Sequence, residues 1–388
     1  MAYSQSSGIL SPWYPPAESA LPVSTILRSA LWCGDDLVQG IRKYLNASEC
    51  VLGISGRALL SRLLMALKGK ADSNRTQVLI PGYTCYSVAA SAVRAKLGIA
   101  CYDLNPQTFE PDMESVHAMA GPATLAIIGQ HLFGIPSSME GLMSAAGSVG
   151  ACLIEDAAQG LGGTLGGKQL GTLGDYGLFS FGRGKPLPLG TGGALVGDPE
   201  MLRSLVLDKG KSGYLRLLIT VSSRILSNKR VYGILEAFPL GLGKTIFDPE
   251  FPIEGIPRVV KRFGANFLHH IETLNSHRIA VAQAYHGVMG NSITPRVCPG
   301  DRAVYTRYPV MAGREVIPKN LFRLGVRRMY PRAILDEQAI KPYCVPANVS
   351  TIGASIMAER LITLPTHTSI SLETARNIAL KVREAYQC

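Results

Sequence analysis

Between Gln77 and Val196 the chain alternates short apolar runs with segments of helical spacing, and this alternation narrows the folds open to it. Gln77–Ile80 is strand-like and stops at Pro81-Gly82. Ser87–Leu97 carries small residues at helical spacing, and Ile99–Asp103 reads as the next strand. Thr124–Ile128 is a third, ending at Gly129-Gln130-His131, and Ala151–Glu155 a fourth, closing on Asp156. Leu178–Phe181 and Ala194–Val196 add two more. Such a pattern predicts an α/β protein with a mostly parallel central sheet and helices on both faces. Sheets of this kind bind ligands beyond the carboxyl ends of their strands. With 388 residues, 47% of them hydrophobic, the chain can bury a large core and is expected to form two domains.

The flanks differ from this middle. Residues 1–25 are rich in Pro and Ser and read as an irregular lead-in, after which Ile26–Tyr44 has helical periodicity. Past Gly197 the chain turns basic and apolar, and 205–257 looks like an insert. Its end, Pro239 to Pro257, is rich in Pro and Gly and reads as a linker. Arg258–Met289 has the pattern of one long amphipathic helix, followed by short strands and helices to the end. The expected division is a large domain over 26–250 and a smaller C-terminal α+β domain over 258–388.

The net charge is +11, from 39 basic and 28 acidic residues, and it is spread along the chain. A diffuse positive field suits acidic small molecules better than a nucleic-acid tail would. Tyr214–Arg230 pairs basic with apolar residues, which suits a covering helix or dimer contact, and also a weak membrane-surface contact through 205–245. Eight cysteines are scattered without a CxxC pair, so no zinc site is expected. They read as reduced thiols. The first residues lack a basic and apolar leader, and no uncharged apolar run reaches the roughly 18 residues that span a bilayer. The expectation is a cytoplasmic protein.

The densest stretch is Leu153–Gly193: a strand ending in Glu155-Asp156, then Gln159, Phe179-Ser180-Phe181, Lys185 in a Gly/Pro-rich loop, and Gly190-Thr191-Gly192-Gly193. These parts suit pyridoxal phosphate (PLP) chemistry. That chemistry needs a lysine amine for the cofactor aldehyde, a carboxylate beside the pyridine nitrogen, and hydroxyls and amides for the phosphate. Lys185, Asp156 and Ser180 suit those roles. Singly, the lysine has a plainer reading as surface and the acidic residue as a helix cap. Two rival signals fail. Gly243-Lys244-Thr245 resembles the end of a P-loop, but the required earlier glycine is Phe238. No dinucleotide-type glycine fingerprint occurs.

In order and spacing the stretch resembles the DegT/DnrJ/EryC1/StrS family of PLP-dependent sugar aminotransferases. The matching segments are Glu155-Asp156-Ala157-Ala158-Gln159, Gly174-Asp175-Tyr176-Gly177-Leu178-Phe179-Ser180-Phe181, Lys185 and Gly190–Gly193. Gly53–Leu59, Val78–Thr84, Ile99–Asn105, His131–Gly134, Leu274–Tyr285 and Arg360–His367 extend the likeness over about 25–387, weakest across 205–257. The resemblance implies the PLP-dependent transferase fold type I and a homodimer. It also implies Lys185 as the catalytic lysine, Asp156 at the pyridine nitrogen, Gln159 at the ring, and Ser180, Gly56 and Arg57 at the phosphate. Tyr86 or Tyr83 would touch the ring, and His131 and Tyr83 the substrate. Two positions depart from the family pattern. Arg57 stands where Thr or Ser is usual, and Cys85 where an aromatic residue is usual. The implied activity moves an amino group from an amino acid, glutamate in most of the family, to a keto sugar on a nucleotide. Same-fold chemistry on a non-sugar carbonyl, a dehydratase, or a silent homologue that binds a ligand or partner are the alternatives. Retention of Lys185 favours amino transfer, because family dehydratases carry histidine there.

Overall fold

The structure is a computed structural model that describes residues 13–17, 36–208, 210, 232, 245–290, 295, 297–313, 316–346 and 349–386. Residues 1–12 and 18–25 of the lead-in, residues 26–35 of the expected 26–44 helix, the 205–245 membrane-contact candidate from 211 on (apart from 232 and 245) and the P-loop-like segment up to Lys244 lie outside these residues.

The strands of the main sheet are β1 (Cys50–Gly53), β2 (Gln77–Pro81), β3 (Gly98–Tyr102), β4 (Thr124–Gln130) and β5 (Cys152–Asp156). A two-residue pair, β6 (Thr164–Leu165) and β7 (Lys168–Gln169), forms a small hairpin before β8 (Tyr176–Ser180) and β9 (Gly193–Gly197). The seven-stranded order is β1-β9-β8-β5-β4-β2-β3. The β3-β2-β4-β5-β8 ladder is parallel, whereas β9 runs antiparallel to both β8 and β1. The expected mostly parallel sheet is therefore present, with every predicted strand in place. The run Cys50–Gly53 is an addition, four residues too short to stand out as a pattern.

Strand residues alternate between two buried faces, as the two-residue period dictates. Val78, Ile80, Ile99, Cys101, Ile128 and Ile154 pack under the helices Gly56–Lys70 and Tyr86–Arg94. Leu79, Ala100, Ile127 and Leu153 face the other way, toward Met113–Met119 and Glu140–Val149. Nearer β9, Leu52, Phe179, Ala194 and Val196 form a third cluster with the helices Leu37–Leu45 and Arg258–Leu268.

Two expectations need correction. The long helix over 258–289 is two helices, Arg258–Leu268 and Ile271–Met289, separated at His269-His270. The first lies on Leu37–Leu45 of the large sheet's own cover, so its apolar stripe faces a different core from that of its neighbour. The described part of the presumed linker, from Thr245 on, is built into the fold. Phe251 is buried, the Ile54 N–H bonds Glu254 O at 2.9 Å, and the Gly255 N–H bonds Asp208 O at 2.8 Å. Pro and Gly make this stretch irregular, but three apolar residues, Phe247, Phe251 and Ile253, still find cover.

The C-terminal third pairs β10 (Arg307–Met311) antiparallel with β11 (Leu361–Pro365) beneath the helices Ile271–Met289 and Leu372–Tyr386. The segment Trp13–Ala17 crosses this part. Tyr14 N–H bonds Arg323 O at 2.8 Å, the His367 ring bonds Pro15 O at 2.9 Å, and buried Arg307 bonds Pro16 O. Its last described residue reaches Gly184, where an added Cβ would stand 2.6 Å from that of Ala17.

Candidate active site

The carboxyl ends of β2, β4, β5 and β8 open into one pocket, where the start of the helix Gly56–Lys70 and the β8–β9 loop also arrive. This is where a parallel sheet exposes strand-end residues and helix N-termini together. Ser55, Gly56, Arg57, Gln130, His131, Asp156, Gln159, Ser180 and Lys185 all line it, with Cys85, Ser87 and Tyr330.

At one end the helix Gly56–Lys70 begins. Ser55 caps it, its Oγ accepting from the Ala58 N–H at 3.3 Å. The first-turn amides of Gly56 and Arg57 have no intrahelical acceptor, which makes this helix end suited to an anion. Gly193 allows the close approach: a Cβ there would lie 2.6 Å from Phe179 O and 2.8 Å from the Gly56 nitrogen. β9 thus passes tightly beneath the helix start and brings it to Ser180. The Arg57 guanidinium is drawn toward the 245–254 segment, 3.7 Å from Asp248 and 4.7 Å from the centre of the Phe251 ring.

At the floor, neighbouring carboxylates leave β5 on opposite sides. Glu155 is fully buried and accepts from the N–H groups of Gly171 (2.9 Å), Leu173 and Gly174 (2.7 Å). Its Oε2 also lies 2.9 Å from His131 Nε2. His131 Nδ1 accepts from the Ser137 N–H at 3.1 Å, so the ring proton sits on Nε2 and is donated to Glu155. Asp156 faces the pocket and accepts only from the Ala158 N–H, at 3.1 Å, among the described bonds. Burial pushes its carboxyl up, and the Lys185 ammonium, the Ala158 amide and His131 pull it partly back.

Gln159 is oriented from the C-terminal third. Thr306 Oγ1 donates to its Oε1 at 3.0 Å, and its Nε2 lies 3.4 Å from the Tyr330 hydroxyl. Gln130 Nε2 donates to Tyr83 O at 2.8 Å.

The pocket brings together seven of the nine expected residues. Lys185, Asp156, Gln159, Ser180, Gly56, Arg57 and His131 line it; Tyr86 and Tyr83 do not. Cys85 precedes the helix Tyr86–Arg94, and the turn directs Tyr86 away, its hydroxyl engaged by the Arg332 backbone and Glu337. Cys85 takes the lining position instead. Tyr83 is fully buried behind the wall, its ring 5.1 Å from that of Tyr330. Tyr330 and Thr306 were not anticipated, since both come from irregular sequence far from the strand motifs.

The sheet order, the reversed β9 and the lysine loop at the carboxyl edge define the PLP-dependent transferase fold type I. Residues 34–211 match the sequence model of the DegT/DnrJ/EryC1/StrS aminotransferase family. Over 192 residues the chain is 30% identical to the UDP-N-acetyl-3-dehydro-alpha-D-glucosamine 3-aminotransferase of Acidithiobacillus ferrooxidans, covering 44% of this chain and 52% of that protein. The chain spans about half the length of most curated relatives it matches. The GDP-perosamine synthase of Caulobacter vibrioides is 26% identical over 84% of this chain and 83% of its own length. Among solved structures, the E. coli GDP-4-keto-6-deoxy-D-mannose-3-dehydratase with bound hydrated PLP superposes with a TM-score of 0.72. It is 17% identical and covers 97% of this chain and all of that one, a likeness of fold.

Proposed function

We propose that the chain is a PLP-dependent aminotransferase that passes an amino group from an amino acid, glutamate by the family resemblance, to a keto sugar carried on a nucleotide. Amino-sugar biosynthesis is its proposed setting, the cytoplasm its place and a homodimer its assembly. Among the described residues no helix is long and apolar enough to cross a membrane.

The observation that carries this reading is the joint presence of Lys185 and a sparsely bonded Asp156 in one pocket with a helix N-terminus. The residues fit the cofactor. Asp156 lacks the amide cage that satisfies Glu155 and would hold the pyridine nitrogen. The Gly56 and Arg57 amides and Ser180 would hold the phosphate, Gln159 the ring edge, and Cys85 a ring face. When bound, PLP supplies an aldehyde and an electron-accepting ring. The chain's own part is placement and proton movement. Lys185 brings an amine that carries a proton at the substrate carbon, while Asp156 keeps a negative charge where the ring nitrogen stands. His131 fixes the wall through Glu155, and its two nitrogens are committed there, so it acts on substrate through shape. The named activities of the Acidithiobacillus and Caulobacter relatives support the sugar substrate. The +11 charge suits a nucleotide diphosphate.

Absorption of the purified protein with added PLP tests this. A visible imine band, absent from Lys185→Ala and bleached by glutamate, is expected. The absence of a band in the unaltered protein would overturn the reading, and a band indifferent to every amino donor would remove amino transfer.

A further inference from the structure

Arg278 stands on the helix Ile271–Met289 and is 6% exposed. A guanidinium stays charged, and burying one is costly unless its donors are met. Among the described residues no carboxylate forms an ion pair with it, and burial alone pulls its pKa down to about 10. Its bonds go to neutral oxygens. Nη2 donates to Lys185 O at 3.1 Å, and Nη1 donates to Asn275 Oδ1 at 2.7 Å and lies 3.3 Å from Pro186 O. Asn275, one turn earlier on the same face and fully buried, donates from Nδ2 to Leu161 O at 3.0 Å.

Two side chains of one helix therefore join two loops of the pocket. Leu161 belongs to the turn that follows Asp156, and Lys185 lies on the β8–β9 loop. Nothing in the sheet fixes the distance between these loops, since β5 and β8 end before either begins. The Asn275–Arg278 brace does.

We propose that Arg278, seated by Asn275, is a positioning residue for Lys185, setting the lysine's backbone against the turn that carries Asp156. The proposal rests on the reading of Lys185 as the cofactor lysine. A planar fork that reaches two consecutive carbonyls suits the task, whereas an ammonium reaches fewer oxygens at fixed geometry.

Arg278→Gln, Arg278→Lys and Asn275→Ala test it, with hydrogen exchange of the 182–190 peptides measured first in the protein without PLP. Loop exchange is expected to quicken about tenfold in Arg278→Gln while the strands stay protected. With PLP, kcat should fall about a hundredfold, as for a misplaced reacting group. KM for the amino donor should stay within about twofold, and the visible band should weaken. Arg278→Lys should recover part of kcat. Asn275→Ala, which keeps the charge, should move exchange and kcat in the same direction by less. Wild-type exchange and kcat in folded Arg278→Gln and Asn275→Ala would overturn the proposal. If Arg278→Gln does not fold, the Asn275→Ala result decides. Absence of a band in the unaltered protein would remove the cofactor reading, yet the exchange data would still report whether the loop is moored.

Discussion

The two sides of the β5 terminus hold adjacent carboxylates in contrasting surroundings. On one side Glu155 is closed in by three backbone N–H groups and the His131 ring, and it ties the 171–174 turn to the strand. On the other, Asp156 has one backbone donor and opens on the pocket. A buried carboxylate whose lone pairs are used is part of the frame. One that is desolvated without full partners is a place held for a ligand, at some expense to the free protein. On the proposed function, the contrast separates support from chemistry within a single Glu-Asp pair.

Glu155→Gln should have the largest effect. An amide keeps the shape but turns an NH2 toward N–H donors, so unfolding in urea should show a loss of about 3 kcal/mol. Stability equal to the unaltered protein would mean that the amide cage is not what fixes the 171–174 turn. His131→Phe should cost less, about 1–2 kcal/mol in the same assay, because it leaves the Ser137 N–H without its acceptor and Glu155 with its three amides.

Asp156→Asn should act in the opposite direction and least. The native carboxyl is raised above its unfolded value. Between the two values the folded state keeps a proton that the unfolded state has lost, so stability falls as pH rises through that window. Above it the free protein carries the full penalty. The asparagine variant without PLP should therefore melt higher at neutral pH, by on the order of a degree or two. The gain should shrink on acidification toward the unfolded carboxyl value near 4. The same variant should lose PLP affinity. A lower melting point at neutral pH would show Asp156 to be satisfied in the free protein and would erase the contrast with Glu155.

Much of the first half of the chain is legible from sequence because its strands are buried on both faces and interrupted by Gly, Pro and polar punctuation. That Asp156, Ser180 and Lys185 meet at one pocket was readable for a related reason: they sit at strand ends or in the loop just beyond, within thirty residues of one another. Glu155 was visible as a letter but not as a role, since its partners are backbone amides 16 to 19 residues away and a histidine just past the end of another strand. Tyr86 and Cys85 exchange places because the helix begins between them, and a boundary one residue off turns the side chain out of the pocket. Phe251 was concealed by the Pro and Gly around it. Arg278, Thr306 and Tyr330 act across 90 to 170 residues, and no local periodicity encodes such a meeting.

The segment Trp13–Ala17 carries a consequence in time. Pro15 meets His367 across 352 positions of chain. At ribosomal speeds of about 5–20 residues per second, the first of these leaves the ribosome roughly twenty seconds to a minute before the second is made. The large sheet can assemble in that interval, but the segment whose Ala17 abuts Gly184 lacks its seat at His367 until that residue is made. The segment that abuts Gly184 of the lysine loop is thus held by residues made long after it, and its docking follows synthesis of His367 rather than of the sheet.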